Sequence, residues 1–520
     1  MKSDRLDSYT TSLHFTSRIV IAVTRMFQSW LLSAQNSLFT ETPTLPGQLT
    51  IGQLSRYNKM VAPNSNYTSI KIVQFADLLT IENNGKIVVE DPEGGCGSKT
   101  FQAKQVEYKS PTEYMWYGTV LEEGPSGDPE CKDCNSGDLL LTKTPDGIIG
   151  NLRMGGKLYT IEDLGEGKQA IGTISETVSL NCPGGVQSPE GKAEQGVEDR
   201  EGNCDIRVLV LATPDAMAAV PNFALLVANA INKVNVTLLN SLITPSQVRL
   251  VFIGTESTAT YFSEANRTNE GSIMAISNNP TAIARRNATG ADIVVLFVDP
   301  DTNNPTDNTA GVAFLGGRWA IVEADGGSSS IVMAHELGHT LRAHHEPCSA
   351  ADPSSGCTNT LGPAHAHTFE TGCGKKKTKR KTMMYGETRI AEIIDYYSNP
   401  NVSFDGQPTG IAGTRDNASV IRGFGCTASN HSTLFNDAFS VKITGPSSPY
   451  RCTGSSVTLY ASVSGTGIGN CTYAWQQALG GVAYGPVISV ASDCSIILPM
   501  VFILTDSCWK TTIPPENLPF

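Results

Sequence analysis

The chain has 520 residues, 40% apolar and 17% charged, with 49 glycines, 28 prolines and a formal net charge of −12. That length exceeds what one hydrophobic core organises, so about two to four domains are expected, and the composition is that of a globular protein rich in turns and strands. The diffuse negative charge excludes nucleic acid as the main partner, because phosphate binding needs a basic surface; the one basic run, Lys375 to Lys381, reads as a solvated loop.

Residues 1–46 form a targeting or N-terminal segment. "RIVIAVTRMFQSWLLSAQ", from Arg18, has a basic flank, an apolar run and a small-residue exit, but Arg25 interrupts the run, as in a weak or misplaced signal peptide. No other apolar run reaches the roughly 18 residues that a membrane span requires. Residues 47–181 alternate apolar and polar positions between glycine-rich breaks, as in "YMWYGTVLEEG" and "DLLLTKTPDGIIGNLRMGGKLYTIEDLG", which predicts a β-rich domain of hairpins. Residues 182–203, rich in Gly, Pro and charge, read as a linker with a processing site.

From 204 to 434 the pattern becomes strand and helix in alternation. "DIRVLVLATP", "QVRLVFIGT" and "ADIVVLFVD" are buried strands, "DAMAAVPNFALLVANAINKVNVTLLNSL" a long helical region, and "GVAFLGGRWAIVEA" two short strands. An α/β domain with a mixed, mainly parallel sheet follows. Residues 435–520 return to short strands with turn signals, as in an Ig-like β module with Trp475 as a candidate core aromatic.

The thirteen cysteines cluster early, in the middle and late in the chain, as in disulfides within separate secreted domains. The early cluster is odd, leaving a thiol for another task. Eight Asn-x-Ser/Thr sites, Asn417 among them, would carry glycans only in a eukaryotic secretory pathway.

Chemistry concentrates in "IVMAHELGHTLRAHHEPC", which holds four of the eight histidines. A helix capped by Ser328 to Ser330 places His335 and His339, four apart, on one face about 6 Å from each other, close enough to share a metal ion. Ile331, Ala334, Leu337 and Leu341 form the neighbouring apolar stripe, and Glu336 stands where it reaches a metal-bound water. A zinc site needs a third protein ligand. If the helix ran straight on, His345 would lie about 15 Å from His335, so it reaches the metal only if the helix stops after Leu341 and the chain turns back. Glu370 and Glu387 are the alternatives, as in a gluzincin-like peptidase.

"HELGHTLRAHH" resembles the long metzincin signature His-Glu-x-x-His-x-x-Gly-x-x-His, matching at His335, Glu336, His339 and His345. "RKTMMYG" lies where that group has its methionine turn. Met383 fits with Tyr385 two residues on, and Met384 stays open. With "YYSNPNVSFDGQPTGIAGTRDNASVI", the region from Cys204 to Cys426 is similar to secreted reprolysin-like zinc proteases, and the preceding domain to their propeptide. The resemblance implies one catalytic Zn2+ on His335, His339 and His345, with Glu336 as general base and Tyr385 beside the oxyanion; no residue pattern supports a structural Ca2+. It implies a secreted zinc endopeptidase made as a zymogen, acting on protein or peptide substrates, with surface or matrix contact through the C-terminal module. Cys182, in "SLNCPGG", would be a cysteine switch on the zinc or a disulfide partner of Cys204. Arg342 stands where the family has glycine, a departure at the turn the third ligand depends on. A non-catalytic adhesion or binding protein is the remaining function class.

Overall fold

The structure is a computed structural model. It describes residues 37–432 apart from 43, 63–64, 77–84, 111–112, 122–133, 135, 188–203, 263–268, 300–308, 327, 349–356, 359–361, 372–376 and 387, and beyond 432 only the backbone of strands between 440 and 510. Residues 1–36, with the apolar run from Arg18, and Cys131, Glu387 and Trp475 lie outside the described residues; the end of the expected N-terminal segment, Phe39–Glu41, is instead a strand of the first sheet.

The N-terminal unit is a β-sheet of nine antiparallel strands. β1 (Phe39–Glu41), β2 (Tyr67–Phe75), β3 (Lys86–Glu90), β4 (Ser98–Ser110), β5 (Glu113–Val120), β6 (Gly137–Thr144), β7 (Gly147–Met154), β8 (Lys157–Gly165) and β9 (Lys168–Ile174) run in the order β1-β2-β9-β8-β7-β6-β5-β4-β3. Leu38 N donates to Val88 O at 2.7 Å, so the first and last strands meet and the sheet curls around its apolar face. Period-2 alternation puts Trp116, Leu139, Leu141, Leu152, Tyr159 and Ile161 inside. The opposite positions of the same strands, Asp138, Asn151, Arg153, Thr160 and Glu162, are polar yet also buried, because they face the second unit. Helix α1 (Ile51–Met60), N-capped by Thr50 with Gln53 closing a capping box, packs Met60 on Ile72 and Leu164.

In the second unit, a six-stranded sheet runs β11-β15-β16-β14-β12-β13. β12 (Asp205–Ala212), β13 (Arg249–Ser257), β14 (Ile293–Val298) and β16 (Trp319–Glu323) are parallel, β15 (Gly311–Leu315) is antiparallel to β16, and β11 (Val186–Gln187) is parallel to β15. This is the mixed, mainly parallel sheet that the alternating pattern predicts. The helical region between β12 and β13 is two helices, not one: α2 (Pro214–Ala219) and α3 (Phe223–Asn240), capped separately by Thr213 and Asn222, because Val220-Pro221 interrupts the ladder. α3 is long and apolar enough to cross a membrane, but here it is mostly buried. It lies between the sheet it covers and the polar face of the N-terminal unit, to which Asn229 and Asn232 bond through Thr142 and Asn151. α4 (Asn269–Ser277) covers the other sheet face with Ile273 and Ile276.

α6 (Ser329–Thr340), the helix that follows α5 (Pro280–Thr289), carries the histidine motif and is buried along its whole length. Its start is not capped as the serines predict. The Ser328 hydroxyl donates back to Asp325, and the Ser328 and Ser329 amides are satisfied by the Asp325 carbonyl. α7 (Asn417–Ser429) closes the unit, N-capped by Asp416.

Disulfides join Cys96 to Cys134, Cys348 to Cys357 and Cys204 to Cys426. The last bridge crosses between the early and middle cysteine groups, so sequence clustering does not give the pairing. The basic run is only partly solvated: Thr378–Lys381 is a strand paired with Thr368–Thr371, and Arg380 and Lys381 are buried. Past residue 432 the backbone forms antiparallel pairs, among them Ser440–Thr444 and Ile497–Ile503 on either side of Ser456–Ser464.

Candidate functional site

α6 presents His335 and His339 one turn apart, ring centroids 5.0 Å from each other. The helix ends at Thr340, and Arg342 takes φ +68°. That left-handed residue turns the chain back, the Ala343 amide closing on the Gly338 carbonyl at 2.9 Å. His345 thereby returns to the two helical histidines: its Nε2 lies 2.9 Å from His335 Nε2 and 3.0 Å from His339 Nε2. The turn required by the sequence argument is present, with arginine in the place of glycine.

All three histidines are buried. His335 Nδ1 donates to the Met383 carbonyl at 2.7 Å and His339 Nδ1 to the Ala343 carbonyl at 2.8 Å. A carbonyl can only accept, so both rings carry their proton on Nδ1 and present a bare Nε2 lone pair to the centre. Burial, followed by the neighbouring rings, pushes the His335 and His339 pKa values far below the ordinary histidine range, so both rings are neutral. Lone pairs crowded at 3 Å repel unless a cation lies among them, and nitrogens around a tetrahedral zinc stand about 3.4 Å apart. The donor set fits zinc.

A fourth donor completes the cluster. Cys182 is the one free cysteine among the described residues; it is buried, with Sγ 3.5 Å from His339 Nε2. Its sulfur and the three imidazole nitrogens all lie within 4.8 Å of one another. The rival disulfide with Cys204 does not form, since Cys204 is taken by Cys426. Glu336 faces the thiol, and its carboxyl is pushed up to about 8 by burial, opposed by the Cys182 contact. Glu370 is engaged at the surface with Lys377, away from the cluster.

Cys182 arrives on a strap that crosses the site. Ser179–Leu180 (β10) pairs with Thr388–Arg389, Val178 O accepts from Ile390 N at 3.0 Å, and Asn181 O accepts from Ala310 N at 3.0 Å. β11 then lies along β15. Residues 182–187 therefore belong to the site and not to a linker. The turn in between is "CPGG": Gly184 has φ +97°, and a Cβ on Gly185 would stand 3.0 Å from Leu315 and 3.2 Å from His339 Nδ1. Only glycine lets the strap lie this close.

The two methionines divide the task expected of one. Met383 supplies the carbonyl that orients His335, while the Met384 sulfur lies against Gly338, where a Cβ would meet it at 2.2 Å. Tyr385 closes that turn, its amide donating to the Thr382 carbonyl at 3.0 Å, and its half-buried ring lies under the Lys381 ammonium. His344 is held through its backbone and packs beside His365. Sequence reasoning missed Glu346, whose Oε2 accepts from Gly386 N at 2.9 Å, and Tyr397, whose hydroxyl donates to the Ala334 carbonyl at 2.7 Å. Neither carries a spacing signal, because each acts across the fold.

Residues 203–398 match the reprolysin-like model of metallo-peptidase family M12. The chain is also similar to the peptidyl-Asp metalloendopeptidase of Stenotrophomonas maltophilia (strain R551-3), 28% identical over 334 residues, which cover 59% of this chain and 74% of the relative. The protein of the same name from Xanthomonas campestris pv. campestris is 27% identical over 330 residues, 59% of this chain and 73% of that one. Both alignments are longer than the stretch the family model matches, so the likeness extends beyond the metallopeptidase domain.

Proposed function

We propose that this chain, which carries a reprolysin-like zinc metallopeptidase domain of family M12, is an endopeptidase held latent by its own residues 178–187. The observation that carries the proposal is the meeting of three imidazole Nε2 atoms and one cysteine sulfur in a single buried cluster.

His335, His339 and His345 would hold the zinc, and Cys182 would occupy the position a substrate needs. When bound, zinc supplies Lewis acidity that polarises a carbonyl and makes water acidic near neutral pH. Glu336 takes the proton from the attacking water and passes it to the leaving amine nitrogen, so the acid and base steps balance on one carboxylate. Met383, through its carbonyl, and Met384, through its sulfur beneath Gly338, keep the helix and its rings in place. Tyr385 would steady the developing oxyanion. An extended peptide would take the edge of β15 once β11 leaves it.

Removal of residues 47–181 after cleavage within 182–203 would give the active form. Three disulfides favour an oxidising, extracellular setting, and the C-terminal strands would serve as an Ig-like contact module. The relatives' name extends the proposal to bonds beside aspartate, which a peptide pair differing only in Asp for Asn would test; equal rates sink that part.

The main experiment compares Cys182→Ala and Glu336→Gln on a denatured protein substrate, with zinc measured in each. The uncut C182A chain should hydrolyse the substrate where the parent does not. C182A/E336Q should keep its zinc and lose the activity. A latent C182A, or an active double variant, overturns the corresponding role.

A further inference from the structure

His345 sits on chain that has left the helix at Arg342 and joined no strand ladder; one isolated bridge from His344 to His365, with His344 N donating to Ala364 O at 3.0 Å, is all the pairing its backbone has there. The segment "YYSNPNVSFDGQPTGIAGTRDNASVI", Tyr396 to Ile421, supplies what is missing. Asn417, fully buried at the start of α7, accepts from His344 N at 3.1 Å through Oδ1 and donates to His344 O at 3.0 Å through Nδ2. One carboxamide thus bonds both main-chain groups of the residue before the ligand, as a neighbouring strand would. The Asn417 amide nitrogen donates to Ser398 Oγ at 2.9 Å, which donates to the His365 carbonyl at 2.6 Å, and His365 Nδ1 donates to the His345 carbonyl at 2.8 Å. Asn417, Ser398 and His365 thus close a ring of hydrogen bonds around the His344–His345 peptide.

We propose that Asn417 is a positioning residue for the metal site, its side chain fixing the His344 backbone so that His345 presents Nε2 to the ion. The proposal rests on the assignment of His345 as a ligand. It also removes Asn417-Ala-Ser from the glycan acceptors, because its Nδ2 is buried and already donating.

The test uses the full chain with Asn417→Ala, Asn417→Asp and Asn399→Ala, read by zinc dissociation in chelator competition and by visible absorption of the cobalt-substituted protein. N417A should weaken zinc binding on the order of 10- to 100-fold, as loss of a partner behind a ligand does, and shift the cobalt bands. N417D keeps the acceptor for His344 N, loses the donor to His344 O, and should fall between. N399A removes an equally buried amide that bonds Ser241 O at 2.7 Å instead, and should leave affinity and spectrum at the parent values even where it lowers Tm. Parent-like zinc affinity in folded N417A overturns the proposal, and so does an N399A defect as large as that of N417A. If N417A does not fold, N417D decides by the same criteria. His345→Ala separates the two claims: parent-like zinc affinity and cobalt spectrum in H345A refute the ligand assignment, whereas weakened zinc binding in H345A with parent-like binding in N417A refutes only the positioning role.

Discussion

Arg342 holds a backbone conformation, φ +68°, that costs a non-glycine residue on the order of 1 kcal/mol. Its guanidinium lies 4.2 Å from the centre of the Phe424 ring on α7, a contact that returns roughly 0.5–1 kcal/mol. The two terms nearly cancel, so Arg342→Gly should unfold in urea within about 1 kcal/mol of the parent. Arg342→Ile keeps the strain in a β-branched residue and loses the ring contact, and should cost at least about 1–2 kcal/mol. Equal stability of the two variants would show that the left-handed turn is not under strain. Sequence spacing reaches His335, Glu336 and His339 because a helix fixes residues four apart locally. It reaches His345 only through the resemblance, and Asn417 not at all, because that residue meets His344 across 73 positions of chain.

The strap from Val178 to Gln187 is the element that departs most from its sequence pattern. Gly, Pro and polar residues make a linker and a close-packed extended segment look alike, since both need freedom from side chains; only the path of the chain tells them apart. Gly185→Val should separate the two cases in function. The new Cβ alone would stand 3.0 Å from Leu315 and 3.2 Å from His339, closer than ordinary van der Waals contact, so β11 should lift from β15 and the uncut chain should gain hydrolytic activity over the parent. A G185V chain as latent as the parent would show that the strap can shift without releasing the site. The apolar runs of β12, β14 and β16 were legible because buried strands of a parallel sheet are apolar on both faces. The break between α2 and α3 also had a visible sign in Pro221, but the surrounding apolar run hides it.

Across the whole molecule, the two units meet through apolar contacts, such as Met115, Tyr117 and Leu140 against Val236, and through buried polar side chains. Lys233 and Asp395 pair at 2.5 Å beneath Asp138 and Arg153, and Arg153 reaches the Ala391 and Ile393 carbonyls. Nearer the start of α6, Asn66 bonds Asp325, and Glu162 lies 3.3 Å from the Tyr67 hydroxyl. Burial, with Asp325 and Asp163 adding to it, pushes the Glu162 carboxyl up to about 8, and burial raises Asp325 as well. A carboxyl whose folded pKa is raised stabilises the fold fully below its unfolded value of 4.5 and loses that contribution as pH climbs to about 8. Glu162→Gln should remove this slope, so that its unfolding free energy, measured by urea titration, gains on the parent between pH 5 and pH 8 by an amount on the order of a few kcal/mol; curves that stay parallel would refute it. The Cys204–Cys426 bridge sets where separation of the units begins. It fastens the head of β12 to α7, and Asp292 bonds both Arg207, three residues into the unit, and Ser432, where its described part ends. Entry and exit of the protease unit are therefore one corner. If cleavage within 182–203 frees the N-terminal unit, as the proposed latency requires, the new chain end would lie at the same corner from which the chain runs on to its C-terminal strands, so a partner gripping those strands would crowd the exit of the freed unit.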